Sequence, residues 1–275
     1  MMDYETLKFE CHDHIGLLTL DRPQCLNAFS MKMVEELRHF FGSLEDQLAI
    51  RVVIIRGAGQ AFCTGMDLKE AAELRGDTPA QEAGPSGLIT GGYNSASTFG
   101  DIVLRMRRAP QPLIAAIRGP AVGGGFSFAM ACDLRIASQS ALFQANYVRV
   151  GISGGDMGSS YLLPRLLGMS WAAEYIYTAR PIDAATAERI GLVCRVVPDD
   201  ELEKASLELA GDVLKGSPFA LRMTKEVLNA NIDAPSLMAA IQMEDRTQLL
   251  CGLTEDAAEG AKAFVEKRLP QYHDR

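Results

Sequence analysis

Two glycine-containing strings combine residue types and spacing that could do chemistry. The first is Ala-Phe-Cys-Thr-Gly-Met-Asp-Leu-Lys-Glu at residues 61–70, and the second is Arg-Gly-Pro-Ala-Val-Gly-Gly-Gly-Phe at residues 118–126. Each reads as a strand that passes through glycine into a helix. The N–H groups that begin a helix have no partner inside it, and they can face an anion or a developing oxyanion. Both strings therefore indicate main-chain donors for negative charge.

Both strings also have simpler interpretations. The first could be an ordinary strand-to-helix turn, in which Gly65 adopts a positive φ and Asp67 caps the helix. The second could be a tight turn that packs a helix on a strand. A phosphate-binding loop is a further alternative, but the Lys-Ser/Thr that would follow its glycines is absent.

Alternating strands and helices must position these strings. Residues 7–20 alternate as strands do, Ser30 can cap a helix over residues 30–48, and residues 51–56, 113–117 and 134–137 read as buried strands. Helical spacing recurs over 102–108 and 126–131. After Pro198 the pattern becomes helical over 201–214, 218–230, 235–251 and 255–268. The pattern predicts an α/β protein with a C-terminal helical module.

Composition and charge exclude several classes of function. The formal net charge of −8 argues against nucleic acid or an anionic membrane as partner, so an anionic ligand needs local cations. No apolar stretch is long enough to span a bilayer, and the acidic N-terminus lacks a secretory signal, which predicts a cytoplasmic protein. The six cysteines lack metal-ligand spacing, so no metal site is expected.

Six ordered strings together resemble the crotonase, or enoyl-CoA hydratase/isomerase, superfamily along nearly the whole chain. Besides the two glycine strings, they are Asp-Arg-Pro-Gln-Cys-Leu-Asn-Ala at 21–28, Ala-Cys-Asp-Leu-Arg-Ile-Ala at 131–137, Ala-Glu-Arg-Ile-Gly-Leu-Val at 187–193 and Ala-Phe-Val-Glu-Lys-Arg at 263–268. The resemblance implies a ClpP-like crotonase spiral of ββα turns over residues 1–198. It also implies a helical module over 199–275 that makes homotrimers or hexamers.

The resemblance further implies an acyl-coenzyme A thioester as substrate, with no cofactor beyond the coenzyme A that the substrate carries. The thioester oxygen would bind to the N–H groups of Met66 and Gly124. Coenzyme A would contact Ala28, the backbone from Met66 to Leu68 and Lys69. Phe264 and Lys267 would reach the nucleotide from a neighbouring subunit, although both lysines could equally be solvated surface charges.

The chain departs from the hydratase pattern at the two acid/base glutamates, whose positions hold Ser127 and Tyr147. Neither side chain replaces a carboxylate near neutral pH. In some isomerases of the superfamily an aspartate in a later loop moves the proton, and alignment on Leu163-Pro164-Arg165 puts Asp156 there. Tyr147 is then expected beside the acyl chain. Asp156 could instead cap the following helix.

These residues predict an enoyl-CoA lyase or isomerase of fatty acid metabolism, and one carboxylate suits double-bond isomerisation better than hydration. Decarboxylation, thioester hydrolysis and a non-catalytic acyl-CoA binder are the alternatives. RNA binding is disfavoured because no stripe of lysine and arginine exists. Residues 76–100, rich in glycine, proline, serine and threonine, are expected to form a mobile loop that lines the acyl-tail pocket.

Overall fold

A six-stranded sheet forms one layer of the molecule. The computed structural model describes residues 3–76, 94 and 96–275. Strands β1 (Leu7–His12) and β2 (Ile15–Leu20) form an antiparallel hairpin. Its two turn residues, Asp13 and His14, have φ of 47° and 69°, as a type I′ turn requires. Strands β3 (Val52–Gly57), β4 (Leu113–Ile117), β6 (Leu134–Ser138) and β9 (Arg195–Val197) add in parallel, in the order β1-β2-β3-β4-β6-β9.

A second, three-stranded sheet lies beside the glycine strings. It consists of β5 (Pro120–Val122), β7 (Leu142–Gln144) and β8 (Ile182–Asp183), in the order β5-β7-β8. Two isolated parallel bridges extend it, one between Cys63 and Ala121 and one between Phe29 and Met66. The segments that precede the two glycine-containing helix starts are therefore neighbours in space.

The described part of the first 198 residues also contains seven α-helices: α1 (Met31–Ser43), α2 (Leu68–Gly76), α3 (96–108), α4 (Gly124–Ala131), α5 (Ser159–Leu167), α6 (Met169–Thr178) and α7 (Ala184–Arg189). Ser30 caps α1 by accepting a bond from the N–H of Met33 at 3.1 Å. Every residue of α4 is buried, and Phe128 on this helix packs against Phe29, Phe41 and Phe62. Helix α4 is thus fixed in the core.

Four further helices follow: α8 (Leu202–Leu214), α9 (Pro218–Asn231), α10 (Leu237–Gly252) and α11 (Glu255–Glu266). Helix α8 packs on the face of the large sheet that is opposite the main core, where Leu202 and Ala205 contact Ile54 and its neighbours. Helix α9 is held by the buried Lys225, whose Nζ lies 2.8 Å from a carboxylate oxygen of Asp133.

Helices α10 and α11 present large apolar side chains to solvent, including Leu237, Leu249 and Phe264. Such a surface is typical of protein interfaces. The assembly into a homotrimer or hexamer stays a prediction. None of the helices in the described ranges is both long and apolar enough to cross a bilayer.

The elements follow the sequence pattern with shifts at their ends. Helix α1 stops at Ser43 instead of residue 48, because residues 44–46 tighten into a 3-10 turn. Helix α3 is already formed at residue 96, so its start lies within the segment that was predicted to be a loop. Helix α10 begins at Leu237 because Ser236 caps it. The rest of the predicted loop, residues 77–93 and 95, lies outside the described residues.

Candidate active site

The first helix start pairs with the main chain of Phe29. Gly65 adopts φ of 82°, and its carbonyl accepts a bond of 2.7 Å from the N–H of Phe29. The N–H of Asp67 then donates to the carbonyl of Phe29 at 3.0 Å. Between these two bonds, the N–H of Met66 donates to no acceptor among the described residues. This N–H is therefore available to a ligand.

The second helix start is built around Gly123, which has φ of 53° and donates its N–H to the carbonyl of Gln144 at 2.9 Å. The carbonyl of Gly123 accepts the N–H groups of Phe126 and Ser127, at 2.9 and 3.0 Å. The N–H of Gly124, the first residue of α4, finds no acceptor in the part of the chain that the structure describes. It also lies at the positive end of the α4 dipole.

The two free donors belong to main-chain segments in close contact. A Cβ added to Gly65 would lie 2.9 Å from the nitrogen of Gly124, and a Cβ added to Gly125 would lie 2.1 Å from the carbonyl oxygen of Cys63. Only glycine permits this approach. The structure thus brings together Met66 and Gly124, the residues predicted to donate to the thioester oxygen. Two converging N–H groups can stabilise one developing oxyanion.

An ion pair that the sequence motif did not predict joins the two loops around the first donor. Arg22 lies 3.0 Å from a carboxylate oxygen of Asp67, and its other Nη donates to the carbonyl of Ala28 at 2.6 Å. Asp67 also accepts the N–H groups of Lys69 and Glu70, so its predicted role at the start of α2 is confirmed. Burial would raise the pKa of Asp67, but the bonds from Arg22 and the α2 N–H groups hold it below its usual value.

The predicted coenzyme A contacts fall into two groups. Ala28 is buried beside the first donor, whereas Leu68 and Lys69 are exposed at the start of α2. Phe264 is 85% exposed and Lys267 follows the end of α11, where it adopts a left-handed conformation with φ of 55°. Their contact with a nucleotide bound to a neighbouring subunit stays a prediction.

Ser127 and Tyr147, at the two glutamate positions of hydratases, are buried and hydrogen-bonded to each other. The hydroxyl oxygen of Tyr147 lies 2.7 Å from the carbonyl oxygen of Gly123, and Oγ of Ser127 lies 3.0 Å from the carbonyl oxygen of Asp156, so two hydroxyl protons are available for these three contacts. Burial, with a contribution from the charge of Asp156, raises the pKa of Tyr147, so its phenol stays neutral in the physiological range. Both hydroxyls are engaged by the protein itself.

Asp156 lies in the loop before α5, and its carboxylate does not cap that helix. The N-cap is Gly158, which makes no side-chain bond, and the main-chain groups of Asp156 bond to Ser159 instead. The alternative in which Asp156 is a helix cap is therefore wrong. Burial raises the pKa of the Asp156 carboxyl above its usual value, partly offset by a bond from the N–H of Met157. Such a carboxyl is suited to accept and return a proton.

Apolar side chains join this loop to the two donors. Met157 is buried, and its Sδ lies 3.0 Å from the position that a Cβ would take on Gly124. Phe29 approaches the same position to 3.6 Å, and Val103 of α3 packs against Gly158. The site therefore combines two main-chain donors, a half-buried carboxyl and an apolar wall, which is the equipment for proton transfer next to a carbonyl group.

Comparison with known proteins gives one consistent result. Residues 10–275 match the family model described as enoyl-CoA hydratase/isomerase. The chain is 38% identical over 263 residues to the probable enoyl-CoA hydratase echA12 of Mycobacterium bovis, covering 94% of this chain and 90% of that protein. The crystal structure of an enoyl-CoA hydratase from Bacillus anthracis superposes with a TM-score of 0.89 at 34% identity, covering 98% of this chain and all of that one.

Proposed function

Because the chain belongs to the enoyl-CoA hydratase/isomerase family and has its crotonase fold, we propose that it shifts the double bond of an enoyl-CoA thioester. The proposal depends on one observation. In the loop that packs against Gly124 through Met157, Asp156 is a half-buried carboxyl with no ion-pair partner among the described residues, while both hydratase glutamate positions hold hydroxyls that bond to each other. One carboxyl can move a proton from one carbon to another.

The first step is the activation of the thioester. The carbonyl oxygen of the substrate accepts the N–H groups of Met66 and Gly124, which are fixed before the substrate arrives. When a carbon-bound proton leaves, the electron pair passes into an enolate and the oxygen gains negative charge. Loss of one such donor typically costs about 2.7 to 4 kcal/mol of transition-state stabilisation. The preorganised pair therefore favours the enolate over the bound substrate.

The second step is the transfer of the proton. Asp156 in its ionised form takes a proton from one carbon of the acyl chain, and the conjugated dienolate spreads the negative charge to a more distant carbon. The same carboxyl then returns a proton to that carbon, which moves the double bond and restores Asp156. Atoms and charges balance without another reactant. Hydration would also require the activation of a water molecule, and the other carboxyl next to the donors, Asp67, is held in an ion pair with Arg22.

Coenzyme A is held, in this proposal, along the loops that Arg22 joins. Ala28 and the backbone from Met66 to Leu68 contact the adenine and pantetheine portions, and Lys69 neutralises phosphate charge. Phe264 and Lys267 are supplied by a neighbouring subunit of a homotrimer. The exposed apolar surface of α10 and α11 supports such an assembly. Two lysines give an acidic protein the local cations that an anionic ligand needs.

The test is mass spectrometry of 2-enoyl-CoA and 3-enoyl-CoA substrates incubated with the protein in D2O. We expect deuterium in the acyl chain together with a shifted double bond, and we expect Asp156→Asn to lose both by about 10²- to 10⁴-fold. Asp183→Asn, which changes the exposed carboxyl that caps α7, is the matched control and should retain activity.

Other products would favour the other functions of this family. Addition of one D2O across the double bond would replace isomerisation by hydration. Release of free coenzyme A would indicate thioester hydrolysis, and loss of CO2 from a carboxylated acyl-CoA would indicate decarboxylation. Binding of all the thioesters without any change in their mass would contradict an enzymatic role and leave an acyl-CoA binder.

A further inference from the structure

Ser127 and Tyr147 do more than fill the space of two missing glutamates. We propose that their hydroxyls form a bridge that positions both halves of the active site, the oxyanion donor at Gly124 and the acid/base loop at Asp156. The inference rests on the proposed function, since it assigns these two residues to the positioning of its two chemical groups. Neither residue is proposed to touch the reacting atoms of the substrate.

One end of the bridge acts on the peptide that carries the oxyanion donor. Tyr147 bonds to the carbonyl of Gly123 at 2.7 Å, and this carbonyl shares a planar peptide group with the N–H of Gly124. A bond that fixes the carbonyl therefore also fixes the direction of the N–H. It polarises the same peptide group, which strengthens the N–H as a donor.

The other end acts on the loop that carries the proposed base. Ser127 lies on α4, whose residues are all buried, and its Oγ bonds to the carbonyl of Asp156 at 3.0 Å. The loop is otherwise tied to the protein at this point by the two bonds between Asp156 and Ser159. Those bonds are local. Met157 packs against Gly124 through apolar contact, and Ser127 adds the hydrogen bond between Asp156 and the helix of the oxyanion donor.

The number of hydroxyl protons couples the bond at Gly123 to the bond at Asp156. Two hydroxyl protons serve three contacts: Tyr147 with Gly123, Ser127 with Tyr147, and Ser127 with Asp156. When Ser127 donates to Tyr147, the Tyr147 proton goes to the carbonyl of Gly123. When Tyr147 donates to Ser127, the Ser127 proton goes to the carbonyl of Asp156. Both residues are almost completely buried, at 0% and 3% exposure, so water does not readily supply a substitute donor. The bridge thus links the two carbonyls through one pair of side chains.

The test uses the full-length protein with Ser127→Ala, Tyr147→Phe and the double variant. Each variant removes a hydroxyl and leaves the fold and the coenzyme A contacts in place. We expect kcat to fall by about 10- to 100-fold, because small misplacements of reacting groups have effects of this size. We expect KM to change by less than about 2-fold, and the double variant to be no worse than the product of the single effects.

Two matched variants control for the general cost of losing a hydroxyl. Ser206 is a buried serine that donates to the carbonyl of Leu202 within α8, and the hydroxyl of Tyr4 bonds to His39 near the N-terminus. Ser206→Ala and Tyr4→Phe should leave kcat unchanged. Ser127→Thr, which keeps the hydroxyl, should recover much of the activity that Ser127→Ala loses.

Hydrogen exchange followed by mass spectrometry tests the bridge without any substrate. We expect Ser127→Ala to speed exchange in peptides that cover residues 151–158, and Tyr147→Phe to speed it in peptides that cover residues 119–126. If kcat and exchange in both variants match those of their controls, the bridge does not position the site. If the native protein converts no thioester, the proposed function fails, while faster exchange in these two segments would still support the bridge.

Discussion

The two halves of the proposed active site are built in different ways. The oxyanion half, with Met66 and Gly124, consists of main-chain N–H groups whose directions are set by glycine geometry and by main-chain bonds to Phe29 and Gln144. The acid/base half, with Ser127, Tyr147 and Asp156, consists of side chains and loop carbonyls held by side-chain hydrogen bonds.

This difference separates two tasks of the catalyst. Main-chain donors stabilise the enolate whatever side chains surround them, so this half can serve any reaction that passes through a thioester enolate. The side-chain half decides where protons go, and a change of a few residues there changes the reaction. In the proposed mechanism, replacement of two glutamates by Ser127 and Tyr147 therefore alters the proton chemistry and leaves thioester activation in place.

Among changes to the main-chain half, we expect the largest effect from Gly65→Ala. The added Cβ would lie 2.9 Å from both the nitrogen of Gly124 and the carbonyl oxygen of Val122, at φ of 82°. The main chain would have to shift, and kcat/KM should fall by about 10²- to 10³-fold, the typical effect of losing one oxyanion donor. Steady-state kinetics of the isomerisation measures it.

Gly211→Ala is the matched control for Gly65→Ala. Gly211 lies in α8 with no atom within 4 Å of an added Cβ. Because alanine is about 1 kcal/mol better than glycine inside a helix, this variant should be fully active and slightly more stable. Full activity of Gly65→Ala would show that the main-chain half is not the rigid part of the site.

A smaller effect is expected from Arg22→Met, which removes the side chain that holds the loops around the Met66 donor. Arg22 joins Asp67 to the carbonyl of Ala28, so its loss frees the loops on both sides of Met66. We expect kcat/KM to fall by about 10-fold, with KM contributing because the same loops are proposed to hold coenzyme A. Lys215→Met, which removes an exposed ion pair with Asp212, is the control and should have no effect on kinetics. Equal kinetics in both variants would contradict a supporting role for Arg22.

The pH dependence of kcat/KM tests whether Asp156 is the base of the acid/base half. Asp156 must be ionised to take a proton, and burial raises its pKa. Activity should therefore fall on the acidic side with a midpoint above the value of about 3.9 that an unperturbed aspartate shows. The rate of the residual reaction in Asp156→Asn should lack this acidic limb. An unchanged limb in that variant would assign the titration to another group.

The same difference between the halves explains what the sequence could predict. Glycines that permit a positive φ and a helix start are local features, so the positions of Gly65 and Gly124 follow from the strings alone. The contact between Ser127 and Tyr147, twenty positions apart, depends on how α4 packs, and nothing in the chain pattern specifies it. The ion pair between Arg22 and Asp67 is likewise a tertiary contact.

The ends of strands and helices were also predictable only where local sequence determines them. Strands β3 and β4 were predicted within one residue of their ends because continuous apolar runs mark a buried strand. The start of α3 was misplaced because residues 96–101 contain Ser, Thr and Gly, which are weak helix formers. Packing of Phe99 and Ile102 in the core supplies the stability that helix propensity lacks there.

The smallest expected effect is on stability. Replacement by asparagine should change the melting temperature in opposite directions at Asp156 and at Asp183. The raised pKa of Asp156 means that the folded protein binds more protons than the unfolded chain, so stability falls as the pH rises through that pKa. At neutral pH the ionised carboxylate is a cost, and Asp156→Asn should raise the melting temperature. The gain should stay below about 1 kcal/mol, because solvent screens a half-exposed group. It should vanish at acidic pH.

Asp183 provides the comparison for that last measurement. Its carboxylate accepts the N–H of Thr186 at the start of α7, and this bond lowers its pKa. The folded protein therefore binds fewer protons at this group, and its contribution to stability is present at neutral pH and is lost as the pH falls through the lowered pKa. Asp183→Asn should lower the melting temperature at neutral pH. If both variants changed the melting temperature in the same direction, burial would not be the cause of the altered pKa of Asp156. The physical argument for Asp156 as the base would then fail.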